Sequence, residues 1–216
     1  MTPECTEHST REVTPDAVTL IQIRQPAVPS TYRMICFPSQ RNSSVCYLAM
    51  SELLLPTVEL LIIQYPAWTT EEEEEQEDAD RARLVDKIFQ SIRGWADRPM
   101  ALFGHRLGAE LAYAVARRLE QEEHAVPLTL FVSGCTVPAS RGTIGPPALT
   151  CRVVALAGHH DDRAPLTGMR AWRRCTAGRF DLEVFPAPRG YLDSHRREVV
   201  NLVHDQLISL HAPEPD

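Results

Sequence analysis

The stretch Pro99-Met100-Ala101-Leu102-Phe103-Gly104-His105-Arg106-Leu107-Gly108 constrains this chain more than any other. Its first five residues form a short apolar run, as a buried strand does. Ala109 to Leu119 is alanine-rich with apolar residues at helical spacing. Gly104 and Gly108 bracket the turn between them. A strand that enters a helix through Gly-x-x-x-Gly has the frame of a nucleophile elbow, whose middle residue is held out at the top of a sheet. That frame serves chemistry when its middle residue is Ser or Cys. Here the residue is Arg106, whose guanidinium stays protonated and cannot attack an acyl group.

The rest of the chain supplies partners for that strand. Val18 to Ile23 alternates as a strand does, and Arg33 to Phe37 reads as a buried strand stopped at Pro38. Ser39 to Ser44 is a polar loop, and Val45 to Leu55 a helix stopped near Pro56. Val58 to Ile63 is too short for a helix and rich in branched residues, which predicts a central strand ending at Gln64-Tyr65-Pro66. Leu84, Val85, Ile88, Phe89, Ile92 and Trp95 recur at the spacing of an amphipathic helix. Leu128 to Ser133 and Cys151 to Ala157 predict two more strands, joined by a Pro/Gly-rich connection, Gly134 to Pro147. A short helix is expected over Gly168 to Thr176, a last strand around Phe180 to Phe185, and a closing helix over Leu192 to Leu210. Strands alternating with helices predict an α/β fold with a mostly parallel sheet. One domain is expected over residues 17–212, preceded by a disordered polar arm over 1–16.

Composition narrows the function. The net charge of −7 argues against nucleic acid as the main partner. Much of the excess comes from Glu71 to Glu75 with Glu77, Asp78 and Asp80, a solvated run. The six cysteines (Cys5, Cys36, Cys46, Cys135, Cys151, Cys175) include no C-x-x-C pair, so neither metal nor redox spacing is present. They read as reduced residues of a cytoplasmic protein. The first residues lack the apolar core of a signal peptide, and no apolar stretch approaches the ~20 residues that span a membrane.

Cys36-Phe37-Pro38, Val58 to Pro66, Pro99 to Gly108, Leu130 to Gly134, Trp172, Phe185-Pro186 and Tyr191-Leu192 stand in this order over nearly the whole chain. In these stretches the sequence resembles the type II thioesterases of polyketide and nonribosomal peptide assembly lines, which have the α/β-hydrolase fold. The resemblance implies a sheet flanked by helices and a Ser-His-Asp triad with backbone N–H groups aimed at an oxyanion. Carried over by position, the nucleophile is Arg106, the base is Arg189, and the acid, Asp161, is retained. The oxyanion-hole positions are Gln40 and Leu107, and the glycine pair that shapes that loop falls on Arg41 and Asn42. The family's helical lid, several tens of residues after the Leu-Phe-Val-Ser-Gly strand, is nearly absent.

Two readings of the centre follow. In one, the site is dead and an arginine pairs with Asp161. In the other, Arg41, His105, Arg106, His160, Asp161 and Arg189 line a site for an anionic, polyketide-like ligand. No metal is expected, because adjacent residues such as His159 and His160 rarely both ligate one ion; no cofactor is implied. Asp193-Ser194-His195 has the letters of a triad but reads as a helix start with a capping side chain. Cys135 reads as a structural thiol rather than a substitute nucleophile. The functional expectation is an inactive thioesterase homologue with an accessory or scaffolding role. Its partner would be an acyl carrier protein, a synthase, another biosynthetic enzyme or a second copy of itself. The alternatives are a non-hydrolytic cyclase, dehydratase or isomerase, and a residual thioester hydrolase.

Overall fold

The structure is a computed structural model that describes residues 17–39, 45–66, 77–122, 125–137, 148–187 and 189–209. The expected N-terminal arm, the acidic residues 71–75, and Gln40, Arg41 and Asn42 lie outside the described residues. Seven strands form one sheet in the order β1-β3-β2-β4-β5-β6-β7. They are β1 (Thr19–Ile23), β2 (Tyr32–Phe37), β3 (Val58–Gln64), β4 (Met100–His105), β5 (Thr129–Ser133), β6 (Arg152–Gly158) and β7 (Phe180–Phe185). Only β1 runs antiparallel, along the outer edge of β3. The other pairings are parallel, as expected of strands separated by helices.

The central strands are buried on both faces, which is why they read as continuous apolar runs. Alternate residues still go to opposite sides. Ile35, Phe37, Leu61 and Ile63 meet one layer, formed by α2 (Glu77–Ile92), α3 (Leu107–Gln121) and the segment around Trp172. Met34, Cys36, Leu60 and Ile62 meet the other, formed by α1 (Val45–Leu54) and α6 (Arg196–Ser209). Each fully buried Leu, Ile or Phe contributes roughly 1.5–3 kcal/mol.

Two elements differ from the reading of the sequence. The closing helix is broken into α5 (Tyr191–Ser194) and α6, because His195 leaves the helical region at φ −121° and ψ 35°. Tyr191 holds the first piece by its own hydrogen bonds to the sheet. The short helix α4 begins earlier, at Leu166, after the extended Pro165, ends at Arg170, and continues as a 3₁₀ turn over Ala171–Cys175. The order in which strands are added to the sheet reverses between β2 and β4, where β3 lies to one side and β5 to the other. The crevice beyond the carboxyl ends of such strands is where open α/β sheets hold ligands. Arg106 follows β4 at that point.

Candidate functional site

The elbow is built by close approach. A Cβ on Gly104 would lie 2.4 Å from the Cα of Ala109, and one on Gly108 would lie 2.0 Å from the carbonyl oxygen of Phe37. Only glycines let α3 dock this tightly on β4 and β2. Gly108→Ala is therefore expected to cost about 1–3 kcal/mol or more, read as a lowered urea midpoint; unchanged stability would contradict the contact. Between the glycines, Arg106 has φ 52° and ψ −121°, and it is the only non-glycine residue with positive φ among the described residues. The strain of an elbow is thus present at an arginine. Arg106 N donates to Ser133 O at 2.9 Å, and Ala109 N to Arg106 O at 2.8 Å.

The loops beyond β2 and β3 explain two sequence signals. Tyr65 donates its hydroxyl to Pro38 O at 2.9 Å, and Tyr47 to Phe37 O at 3.2 Å. They fix the chain where it leaves β2. Leu107 opens α3 at the site's edge and is 39% exposed.

Asp161, on the loop after β6, has a side chain only 1% exposed. Arg106 Nη2 lies 3.5 Å from its Oδ2, and Arg189 Nε lies 3.3 Å from its Oδ1. Oδ1 also accepts the Arg163 N–H at 3.1 Å, whereas Oδ2 is buried without an aligned hydrogen bond. The structure thus brings Arg106, Asp161 and Arg189 together, two guanidiniums on one carboxylate. Both ion pairs are long and neither is bidentate, so most guanidinium donors are left for solvent or ligand.

Beneath the elbow runs a polar relay. His105 Nδ1 lies 2.9 Å from Ser133 Oγ, Ser133 Oγ lies 2.7 Å from Tyr191 Oη, and the tyrosine donates to Leu156 O at 2.7 Å. Burial, followed by the charge of Arg106, pulls the His105 pKa down to about 4. His105 is therefore neutral at pH 7 and faces Ser133. In the sequence, Ser133 stands out only as the end of a strand and Tyr191 only as a position of the family resemblance. A hydroxyl closing the apolar run Leu128 to Ser133 was the signal available.

Other expected positions fall elsewhere. His160 is exposed, with Nε2 2.9 Å from His159 Nδ1, so its ring meets its neighbour. Among the described residues no three His, Cys, Asp or Glu side chains are grouped to hold a metal ion. Cys135 Sγ lies 3.8 Å from Glu110 Oε1, and burial with the glutamate charge pushes the thiol up to about 12. It is a poor nucleophile there. Glu110, absent from the sequence reading, also pairs with Arg81. Ser194 Oγ lies 3.3 Å from Gly190 O and 2.9 Å from His195 Nδ1, while Asp193 pairs with Arg196 at 3.4 Å. Ser194 thus bonds a carbonyl behind it instead of capping a helix N–H, and Asp193 does not orient His195. Residues 134–151 alone join β5 to β6, too few for a helical insertion of several tens of residues.

The family model of the thioesterase domain matches residues 32–145, which span β2 to beyond β5. The chain is 28% identical to thioesterase PikA5 of Streptomyces venezuelae, over 85% of this chain and 83% of that one. It is 27% identical to a probable cadicidin biosynthesis thioesterase of Streptomyces griseus, over 79% of this chain and 61% of that protein. Among solved structures, the type II thioesterase BorB from the borrelidin biosynthetic cluster superposes with a TM-score of 0.72 at 24% identity. That match covers 87% of this chain and 97% of BorB. The thioesterase RedJ of the prodiginine pathway in Streptomyces coelicolor gives 0.70 at 20%, over 85% and 88%.

Proposed function

Because the chain belongs to the thioesterase domain family, we propose that it is a thioesterase homologue of polyketide or nonribosomal peptide biosynthesis that no longer hydrolyses and acts as an accessory or scaffold. Its relatives carry the pathway part of that reading. The loss of hydrolysis rests on one observation: two arginines stand where a nucleophile and a base would, both drawn onto Asp161. A guanidinium neither attacks a thioester nor takes a proton at pH 7. Asp161, which would orient a histidine, neutralises cations instead. With too few residues between β5 and β6 for a lid, Leu107 stays exposed at the edge of the elbow, and the partner of this reading is a carrier protein, a synthase component or another biosynthetic enzyme.

A second reading has support from the same geometry. Arg106 touches Asp161 only through a 3.5 Å ion pair, and Arg189 through one bond. Their remaining donors suit a carboxylate on a small polyketide-like ligand, and the cleft would then serve a non-hydrolytic reaction.

Intact-mass measurement of acyl-loaded carrier proteins separates these. With the wild-type protein the acyl group is expected to stay on over many hours. Catalytic release by the wild type would overturn the inactive reading. Release only by an Arg106→Ser, Arg189→His double variant would show that these two positions carry the loss. An acyl group that stays bound but changes mass would favour the second reading.

A further inference from the structure

A band of arginines lies beside the cleft. Between Asp162 and Asp181 the chain carries Arg163, Arg170, Arg173, Arg174 and Arg179 and no acidic residue. All five are exposed. Met169, Trp172 and Cys175 between them are buried. Those three recur at the three-residue step of the 3₁₀ turn that ends this segment, so the residues between them face outward. Arg117 adjoins the band from α3. Its guanidinium carbon lies 5.8 Å from the Tyr113 ring, which packs edge-on against Trp172 at 5.3 Å, and its Nε is buried without a hydrogen-bond partner.

Several arginines elsewhere are neutralised within the chain. Arg83 pairs with Asp80, Arg118 with Asp86 and Glu122, and Arg196 with Asp193. Among the described residues, Arg163, Arg170, Arg174 and Arg179 have no such partner, and Arg173 donates only to the Thr176 carbonyl, at 3.1 Å. A stretch of single-sign charge on a chain of net charge −7 is a local departure from its own composition. It reaches the cleft, because the Arg163 N–H binds Asp161 itself.

We propose that this band docks an acidic protein surface, whose carboxylates complete the ion pairs that the chain leaves open. The proposal rests on the reading that the chain meets a biosynthetic protein, and it adds the face and the chemistry of contact. Nucleic acid is the other polyanion such a face could meet; the similarity of the chain to biosynthetic thioesterases favours a protein. The contact is a rim of exposed charges, so it acts on the rate of encounter and weakens with salt.

The test is a binding titration with a carrier domain of net negative charge as the probe. It compares wild type, the Arg170→Glu, Arg174→Glu double variant and an Arg83→Glu control, beside a duplex DNA of similar charge. The wild type is expected to bind the carrier domain and to lose about tenfold in affinity between about 50 and 300 mM salt. The double variant is expected to lose about tenfold at the lower salt, and the control to match the wild type. No binding by the wild type, equal affinity of the double variant, or tighter binding of the DNA would each overturn the proposal. Acyl retention read by mass in the same samples judges the inactive reading separately. Binding can fail while hydrolysis stays absent, and the reverse.

Discussion

Replacing Glu59 with alanine is expected to lower the stability of the fold by about 3–5 kcal/mol, the cost of orphaning a buried charge. Glu59 is the second residue of β3 and Arg33 the second of β2, and the two are partners in the parallel register. Their side chains are each 3% exposed. Arg33 Nε donates to Glu59 Oε1 at 2.6 Å, and Gln22 of β1 donates to Oε2 at 3.2 Å. Arg98 lies 3.4 Å from the same carboxylate. Arg33 further meets Asp97 and the Trp95 carbonyl, with its guanidinium 4.8 Å from the Trp95 ring. The network ties β1, β2, β3 and the approach to β4 at the end of the sheet opposite Arg106. Without Glu59, the only carboxylate Arg33 keeps beside the Trp95 carbonyl is Asp97, which is largely solvated and a weak substitute. A drop in melting temperature of about 10 °C or more is the expected readout. Arg33→Met with Glu59→Leu should recover most of it, since an apolar pair leaves no charge stranded. A loss below about 1 kcal/mol for Glu59→Ala would show that the pair is not what holds this end together.

Stability is also expected to fall steeply in mild acid, and His105 supplies the reason. Its folded pKa is about 4, against an ordinary value of 6.5, because burial and then Arg106 disfavour the imidazolium. Between those values the unfolded chain binds more protons than the native one, so stability rises with pH there. The contribution is complete above about pH 6.5 and is lost as pH falls to about 4. Over the whole window it amounts to something on the order of 3 kcal/mol. Urea unfolding at pH 7 and pH 4.5 would read it. His105→Gln keeps a partner for Ser133 and should flatten the profile relative to wild type. Equal pH slopes for the two proteins would remove His105 as the cause.

The layered fold was legible because its signals are local. The run Pro99 to Phe103, the glycines at 104 and 108, and the branched stretch Val58 to Ile63 each declare their element without knowledge of the rest. The centre was legible by position: Arg106, Asp161 and Arg189 were placed by resemblance, and the structure brings all three together. What stayed hidden depends on register. Arg33 and Glu59 are 26 residues apart, and nothing in either neighbourhood says that these two strand charges face each other. The relay from His105 through Ser133 to Tyr191 joins three separate elements and was invisible for the same reason. The break at His195 follows from Tyr191 answering to the sheet while Val199, Val203 and Leu207 answer to the core of the other layer.

The backbone at Arg106 has one more consequence. Its φ of 52° is set by the packing of Gly104 and Gly108 on neighbouring backbone, not by anything the arginine side chain does. The conformational cost, roughly 1–3 kcal/mol, is the same for any L-residue with an ordinary side chain. Position 106 is therefore a rigid mount with an interchangeable fitting. A cysteine carrying a spin label or a fluorophore there would stand at the mouth of the cleft with its backbone orientation already fixed, a reporter for whatever arrives.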